Sequence, residues 1–465
     1  MTEVSDKTRQ YVYQTWTRQS AARPVEIVKA EGSHYWDADG KRWLDFACQA
    51  YNVAVGFQHP RIVAAIQRQA GELAAAGPKA AYPAKALLGE KLARITPGDL
   101  CKSFFCLGGA EANENAIKMA RLVTGRDKVI TRYRSYHGAT AGAGSWTGDP
   151  RRIPFEPGTP GVVRVQDPYC YRCPFGQRLE SCGRECVTHI EDVIAFEGPH
   201  TIAAVLFEGF AGANGGLVPP PDYWPRLREI CDRYGIVLIS DEVFTGLGRT
   251  GKWFAVDHWN VVPDMLTMAK GLGAGHAPLG AVVTSERIAR VFEDETLWCG
   301  LTSYSAPVCV AAALESLLVY EEEGLVAHAA AMGHRLRARL LEMQARYPIM
   351  GDVRGQGLLQ VVELSQPPGG PTTQANRVTQ PWARQAAGRP PLVPWNASSE
   401  EMRRLAPLTR VFEERGLYVN VRWNTLIIVP PLNISEVDLD AGIDIIEEGM
   451  GALEAAVAAS PVQHA

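Results

Sequence analysis

The spacing of polar and apolar positions changes its period several times along this chain. "HYWDADGKRWLDF" (34–46) alternates on either side of Asp-Ala-Asp-Gly, which predicts two short strands joined by a tight turn. From about residue 61 to 330, helical and strand patterns take turns. "RIVAAIQRQAGELAAA" reads as a helix, and "ANENAIKMARLVTG" as another that ends at a glycine. "DKVITRY" and "TIAAVLFE" read as strands. "YWPRLREICDRYG" is an amphipathic helix, and "IVLIS" is a wholly apolar strand directly after it. Apolar strands separated by helices predict a mostly parallel sheet covered on both faces.

The pattern shifts again beyond residue 330. A long helix, "GLVAHAAAMGHRLRARLLEMQARY", leads into "GDVRGQGLLQVVEL". A Pro/Gly/Gln-rich stretch from Ser365 to Pro394 reads as an exposed excursion. "LYVNVRWNTLIIVPPL" predicts strands, and "SEVDLDAGIDIIEEGMGALEAAV" a terminal helix with an acidic first turn. The expected fold is α/β. Residues 61–330 form a large domain, and 331–465 form a smaller α+β domain joined by the N-terminal segment 1–60.

Composition narrows the function. A chain of 465 residues exceeds one simple core. Its 47 basic and 51 acidic residues give a net charge of −4. No polybasic footprint points to nucleic acid or an acidic membrane, so a small-molecule partner is expected. The opening "MTEVSDKTRQYVYQTW" lacks the apolar core of a signal peptide, and no run of ~18 apolar residues predicts a membrane span. The expected location is the cytoplasm, with the ten cysteines as reduced thiols. Cys170-x2-Cys173 and Cys182-x3-Cys186 have zinc-ligand spacing. They are nevertheless read as a thiol cluster, with no metal assigned.

One lysine stands out. In "DMLTMAKGLGAGHAPLGAVV" (264–283), Lys270 has no acid within five positions on either side. A buried charge without a partner is costly. Asp241 follows the apolar strand "IVLIS", and ligands of parallel sheets bind at the carboxyl ends of strands. Gly108, Gly109 and Ala110 precede a helix, where small residues let backbone N–H groups approach a phosphate. Tyr136 and His137 follow the strand "DKVITRY". Each has an ordinary reading alone: a surface lysine, a turn-capping acid, a tight glycine turn, packing aromatics. Together they match pyridoxal phosphate. That cofactor needs an amine for its aldehyde, an acid for its pyridine nitrogen, a phosphate cradle and an aromatic cover.

At this point the chain resembles the class III, or ω-, aminotransferases of pyridoxal-phosphate fold type I. The resemblance spans about residues 10 to 455, and "ISDEVFTGLGRTGKWFAVDHWNVVPDMLTMAKGLGAGHAPLGAV" is similar to the family signature throughout. It implies that Lys270 is the Schiff-base lysine and proton shuttle. It implies that Asp241 pairs with the pyridinium, and that Val243 and Tyr136 pack on opposite faces of the ring. Gly108, Gly109 and Ala110 would bind phosphate, with His137 and Glu208 close to the cofactor. Thr302 would reach the phosphate of a neighbouring subunit, so a homodimer or higher oligomer with shared active sites is implied.

The chain also departs from the pattern. Gly209-Phe210 follows Glu208 where proline is usual, and Leu301 precedes Thr302 where histidine is common. Leu107-Gly108 replaces Asn-Ser, and Ala213 stands where some relatives carry an arginine-gating glutamate. "ACQAYNVAVGFQHP", "DPYCYRCPFG…CGREC" and "PLVPWN…GLYVNVRWNTLIIVPPL" resemble the branch that includes taurine and other ω-amino-acid transaminases. Arg422 is the candidate for a substrate carboxylate or sulfonate. Tyr51 and Asn52 are candidates for the substrate entrance. The implied activity is ping-pong transfer of an amino group from a primary amine such as taurine or β-alanine to pyruvate or 2-oxoglutarate. Aminomutase, racemase or decarboxylase chemistry on the same cofactor is the alternative, and a degenerate binding protein is the third.

Overall fold

The computed structural model describes residues 2–368 and 389–459. Most of the Pro/Gly/Gln-rich stretch therefore lies outside the described residues. Its described ends meet, with Gln366 N–H donating to Pro390 O at 2.8 Å.

The N-terminal segment supplies strands β1 (Ile27–Glu31), β2 (His34–Asp37) and β3 (Arg42–Asp45). The Asp-Ala-Asp-Gly turn forms between β2 and β3 because Asp37 Oδ1 accepts from the backbone N–H groups of Asp39 and Lys41, at 3.1 and 2.9 Å.

The large sheet contains β4 (Leu100–Cys106), β5 (Lys128–Arg132), β6 (Val162–Val165), β7 (Ile202–Glu208), β8 (Val237–Asp241), β9 (Met265–Met268) and β10 (Gly280–Ser285). Their order across the sheet is β4-β10-β9-β8-β7-β5-β6. β10 runs antiparallel to both neighbours, and the other pairings are parallel. Every residue of β7, β8, β9 and β10 is buried, which explains why their sequences are mainly apolar. Alternate side chains enter two separate apolar clusters. Leu206, Ile239 and Val282 pack with Ile117 and Ala120 of the helix Gly109–Thr124. Val205, Leu238 and Val283 pack with Leu227 and Ile230 of the helix Tyr223–Tyr234. Both helices end at a left-handed glycine, Gly125 and Gly235.

The remaining strands are β11 (Met350–Gln356), β12 (Leu359–Leu364), β13 (Leu417–Tyr418), β14 (Asn420–Arg422) and β15 (Thr425–Ile428). They form a sheet ordered β11-β12-β15-β14, except that β13 pairs in parallel with β3 and so binds the two chain ends together. Among the described residues, no helix is long and apolar enough to cross a membrane.

A charged knot fastens the later sheet to the loop after β6. Glu363 on β12 is fully buried and accepts from Arg172 Nε (2.5 Å), Arg354 Nη1 (2.7 Å), Asn424 Nδ2 (3.1 Å) and the Tyr169 hydroxyl. Burial alone would raise its pKa, but the two guanidiniums outweigh burial and hold it down at about 2. Glu363→Gln is expected to cost about 3 kcal/mol of stability near neutral pH, because it leaves buried cations short of an anion. The folded pKa lies below the unfolded one. The contribution is therefore present above about pH 4.5 and is lost as the pH falls through about 2. Urea titrations of both proteins should show the gap closing across that window. A gap that stays constant there would place the stabilisation elsewhere.

Candidate active site

Pairing between neighbouring strands brings the acidic and polar groups together. Glu208 ends β7, opposite Asp241 at the end of β8, which in turn lies opposite Thr267 in β9. Two residues beyond the end of β9 the chain turns at Lys270, whose backbone takes a left-handed φ of 40°. The carboxyl ends of three adjacent parallel strands thus hold the chemistry around one cavity of about 480 Å³.

Asp241 is the most tightly held group there. Its Oδ2 accepts from Asn113 Nδ2 at 2.8 Å and from His137 Nδ1 at 2.7 Å. Its Oδ1 accepts from Val243 N–H at 3.0 Å. Asn113 is fixed in turn, donating also to His137 O and accepting from the Thr267 hydroxyl at 2.7 Å. The His137 ring is buried, with Nε2 unpartnered among the described residues.

Lys270 faces this cavity without a carboxylate salt bridge among the described residues. Its Nζ lies 4.6 Å from the Phe244 ring centroid and 5.5 Å from that of Tyr51. Burial brings its pKa down to about 8, against the opposing pull of Asp241 and Glu208. Glu208 has a different part. Its Oε1 accepts from Tyr136 N–H at 3.0 Å and its Oε2 from Gly212 N–H at 2.9 Å, so it ties two loops of the cavity wall together. Burial raises its pKa.

The opposite wall is the start of the helix Gly109–Thr124, with Gly108 as its N-cap and Gly109 and Ala110 in its first turn. The first N–H groups of a helix have no intrahelical acceptors. Gly109 must be glycine for a packing reason, because a Cβ there would lie 2.7 Å from Val243 Cγ1. Asn52, Leu107, Tyr136, Ala213 and Val243 complete the lining.

The family follows from comparison with known proteins. The model of the family described as Aminotransferase class-III matches residues 15–450. The chain belongs to the class III aminotransferases. It is 34% identical over 458 residues to the taurine–pyruvate aminotransferase of Bilophila wadsworthia, covering 94% of this chain and 95% of that protein. It is 36% identical over 437 residues to the leucine/methionine racemase of Thermococcus litoralis, covering 93% and 91%. The solved taurine:2-oxoglutarate aminotransferase of Bifidobacterium kashiwanohense, in complex with PLP and glutamate, matches with a TM-score of 0.87 at 33% identity, covering 97% of this chain and 98% of that one. The fold is PLP fold type I, and the enzyme is a PLP-dependent transaminase.

The aminotransferase's own residues fit pyridoxal phosphate. A buried amine has no ion-pair partner among the described residues, a carboxylate is aimed by three donors, and a helix N-terminus is kept open by a glycine whose Cβ would crowd Val243. The structure also accounts for one departure from the family pattern. At Gly209 a Cβ would meet Ala255 Cβ at 2.4 Å, which leaves no room for proline.

Other expected residues fall outside the cavity. Tyr51 stacks on Phe244, 4.4 Å between ring centroids, and its hydroxyl accepts from Asn420. Arg422 sits at the end of β14 and pairs with Asp149 at 3.2 Å. Thr302 lies on an exposed turn and does not line its own chain's cavity. The four cysteines 170, 173, 182 and 186 line one small cavity of about 20 Å³. All ten cysteines are free thiols, and burial raises Cys170 to about 11 and Cys186 to about 12. Among the described residues no group of three or more His, Cys, Asp or Glu could hold a metal ion.

Sequence reasoning missed Asn113, Thr267, Phe244, Asp149 and Arg151. His276 accepts from His59 N–H at 3.0 Å and so fixes the start of the helix Pro60–Glu72.

Proposed function

We propose that this transaminase moves the amino group of an ω-amino acid or similar primary amine, such as taurine or β-alanine, to a 2-oxo acid such as pyruvate or 2-oxoglutarate by a ping-pong mechanism. The observation that carries this reading is that Lys270 and Asp241 line the same cavity. An amine brought down to about 8 and a carboxylate aimed by three donors share one cavity.

Pyridoxal phosphate, when bound, supplies an electron sink for negative charge that develops on the substrate carbon. Gly108, Gly109 and Ala110 hold its phosphate at the helix N-terminus. Tyr136 and Val243, which line the cavity, would bracket its ring. Asp241 would serve as the acceptor for the cofactor's ring nitrogen, and Asn113 and His137 keep that carboxylate in place. Lys270 is the amine that would hold the cofactor's aldehyde. Its Nζ would serve as the base that takes a proton from the amine-bearing carbon of the substrate and as the acid that gives it back. Glu208 keeps the Tyr136 loop against the site. Thr302 contributes to the phosphate site of the partner in a homodimer. The substrate class is supported by the taurine aminotransferases among the relatives.

The lysine's acidity has a consequence. Only the neutral amine attacks an aldehyde, so capture of pyridoxal phosphate by the apoprotein is expected to speed up about tenfold per pH unit below 8 and to level off above it. Stopped-flow absorbance at varied pH checks this. A plateau reached only near pH 10 would mean an ordinary exposed lysine.

The reaction itself is tested by offering the holoenzyme taurine, β-alanine and longer ω-amino acids with each oxo acid and following alanine or glutamate formation. A second reading has one specific support, the racemase relative that covers most of the chain. Inversion of an L-amino acid without any oxo acid would establish that reading and displace the first.

A further inference from the structure

Beside the cavity, two guanidiniums share one carboxylate. Asp149 is fully buried, and Arg151 and Arg422 are mostly buried, each side chain about 19% exposed. Arg151 grips Asp149 through one edge of its fork, with Nη2 at 2.5 Å and Nε at 3.0 Å from Oδ2. Arg422 Nη2 takes the same oxygen at 3.2 Å. Two cations against one anion leave one positive charge unbalanced in a sheltered place. The effect is visible at Arg422, where burial and then the Arg151 charge push the pKa down against the pull of Asp149.

Unused donors remain. Arg422 Nε is buried and has no hydrogen-bond partner, and Arg151 Nη1 has none among the described residues. Neighbouring rings fix the Arg151 plane. Its guanidinium lies 3.7 Å from the Tyr136 centroid and 5.3 Å from that of Trp16. With aromatic rings close to it, a guanidinium has its in-plane N–H edges for polar partners, and one edge is already on Asp149. Tyr136 lines the cavity, and the positive charge of Arg151 also acts on Lys270.

We infer that Arg151 is a substrate-binding residue that joins Arg422 in a two-guanidinium clamp for the acid group of the amine donor, with Asp149 as the fixed counter-ion that positions both forks. This rests on the transaminase reading above. The ligand chemistry is a singly charged oxyanion, carboxylate or sulfonate, carried at the end of the donor away from its amine. One such group balances the site's surplus charge. Asp149 comes from the turn after the Tyr136 loop, so it supplies a resident anion on an element other than that of Ala213, where a gating glutamate would stand.

The test reads the donor half-reaction of the holoenzyme, with no oxo acid present. Taurine, β-alanine and an alkylamine without an acid group are compared by the concentration that half-saturates loss of the cofactor's aldehyde absorbance. For Arg151→Gln the half-saturating concentration for the two acidic donors should rise about 10- to 100-fold, and far less for the alkylamine. Arg151→Lys keeps the charge without the fork, and should recover part of the loss. A rise for taurine alone would assign the clamp to sulfonates, and one for β-alanine alone to carboxylates. An equal loss for acidic and neutral donors would overturn the inference, leaving Arg151 as a support for Tyr136, and so would no change at all. A wild-type enzyme that converts none of the three amines would instead count against the transaminase reading.

Discussion

Lys270→Ala is expected to keep pyridoxal phosphate bound and to convert amines at least about 10³-fold more slowly than the wild type. The two halves of this result have separate causes. Cofactor retention is expected because the substitution leaves alone the proposed phosphate site at the open helix N-terminus Gly108–Ala110 and the Asp241 carboxylate aimed by Asn113, His137 and Val243. Turnover depends on a base placed to move a proton, and among the described residues no second lysine lines the cavity. Arg151 is a cation whose charge acts on Lys270, and a guanidinium does not give up its proton near neutral pH. Cofactor content after gel filtration, measured beside initial rates, separates the two effects. Because the truncation leaves space, a small added amine should restore part of the rate. Wild-type turnover in the variant would remove Lys270 from the chemistry.

Asp241→Asn should lower the rate about 10²- to 10³-fold at saturating cofactor. Three donors converge on this carboxylate from a helix, a loop and its own turn, so the carboxyl acts purely as an acceptor. An amide in the same place turns an N–H group toward at least one of those donors, and it loses the charge that favours a protonated ring nitrogen. Asp241→Glu keeps the charge but shifts it by one methylene within a buried network. It should retain more activity than Asn while binding the cofactor less tightly. Rates measured against cofactor concentration distinguish weaker binding from slower chemistry. A rate for Asp241→Asn within about threefold of the wild type would show that the ring nitrogen is served by another group.

The parts of this enzyme that were legible in its sequence share a physical origin. A parallel strand buried on both faces carries few polar positions, so the acids that end β7 and β8 and the lysine after β9 stand out against mainly apolar runs. A glycine pair before a helix is equally visible. Asn113 is not, because four residues into a helix it resembles any polar residue on a helical face. Only the fold brings it within 2.8 Å of Asp241, 128 positions later. Asp149 and Arg151 read as an ordinary turn until β14 delivers Arg422 from 273 positions away. Local propensity misled once. "LAAA" continues the helical pattern after Glu72, yet the helix stops there, with Leu73 extended and Gln69 Nε2 donating to Leu73 O at 3.0 Å. Leu73 is 38% exposed, so little burial rewards another turn.

The left-handed backbone at Lys270 sets two selective pressures against each other. A φ of 40° costs a side-chain-bearing residue on the order of 1 kcal/mol that glycine largely escapes. A library sorted only for heat resistance would therefore tend to enrich glycine at this position and discard the enzyme's reactive group. Thermal screening of this protein needs a turnover filter at residue 270.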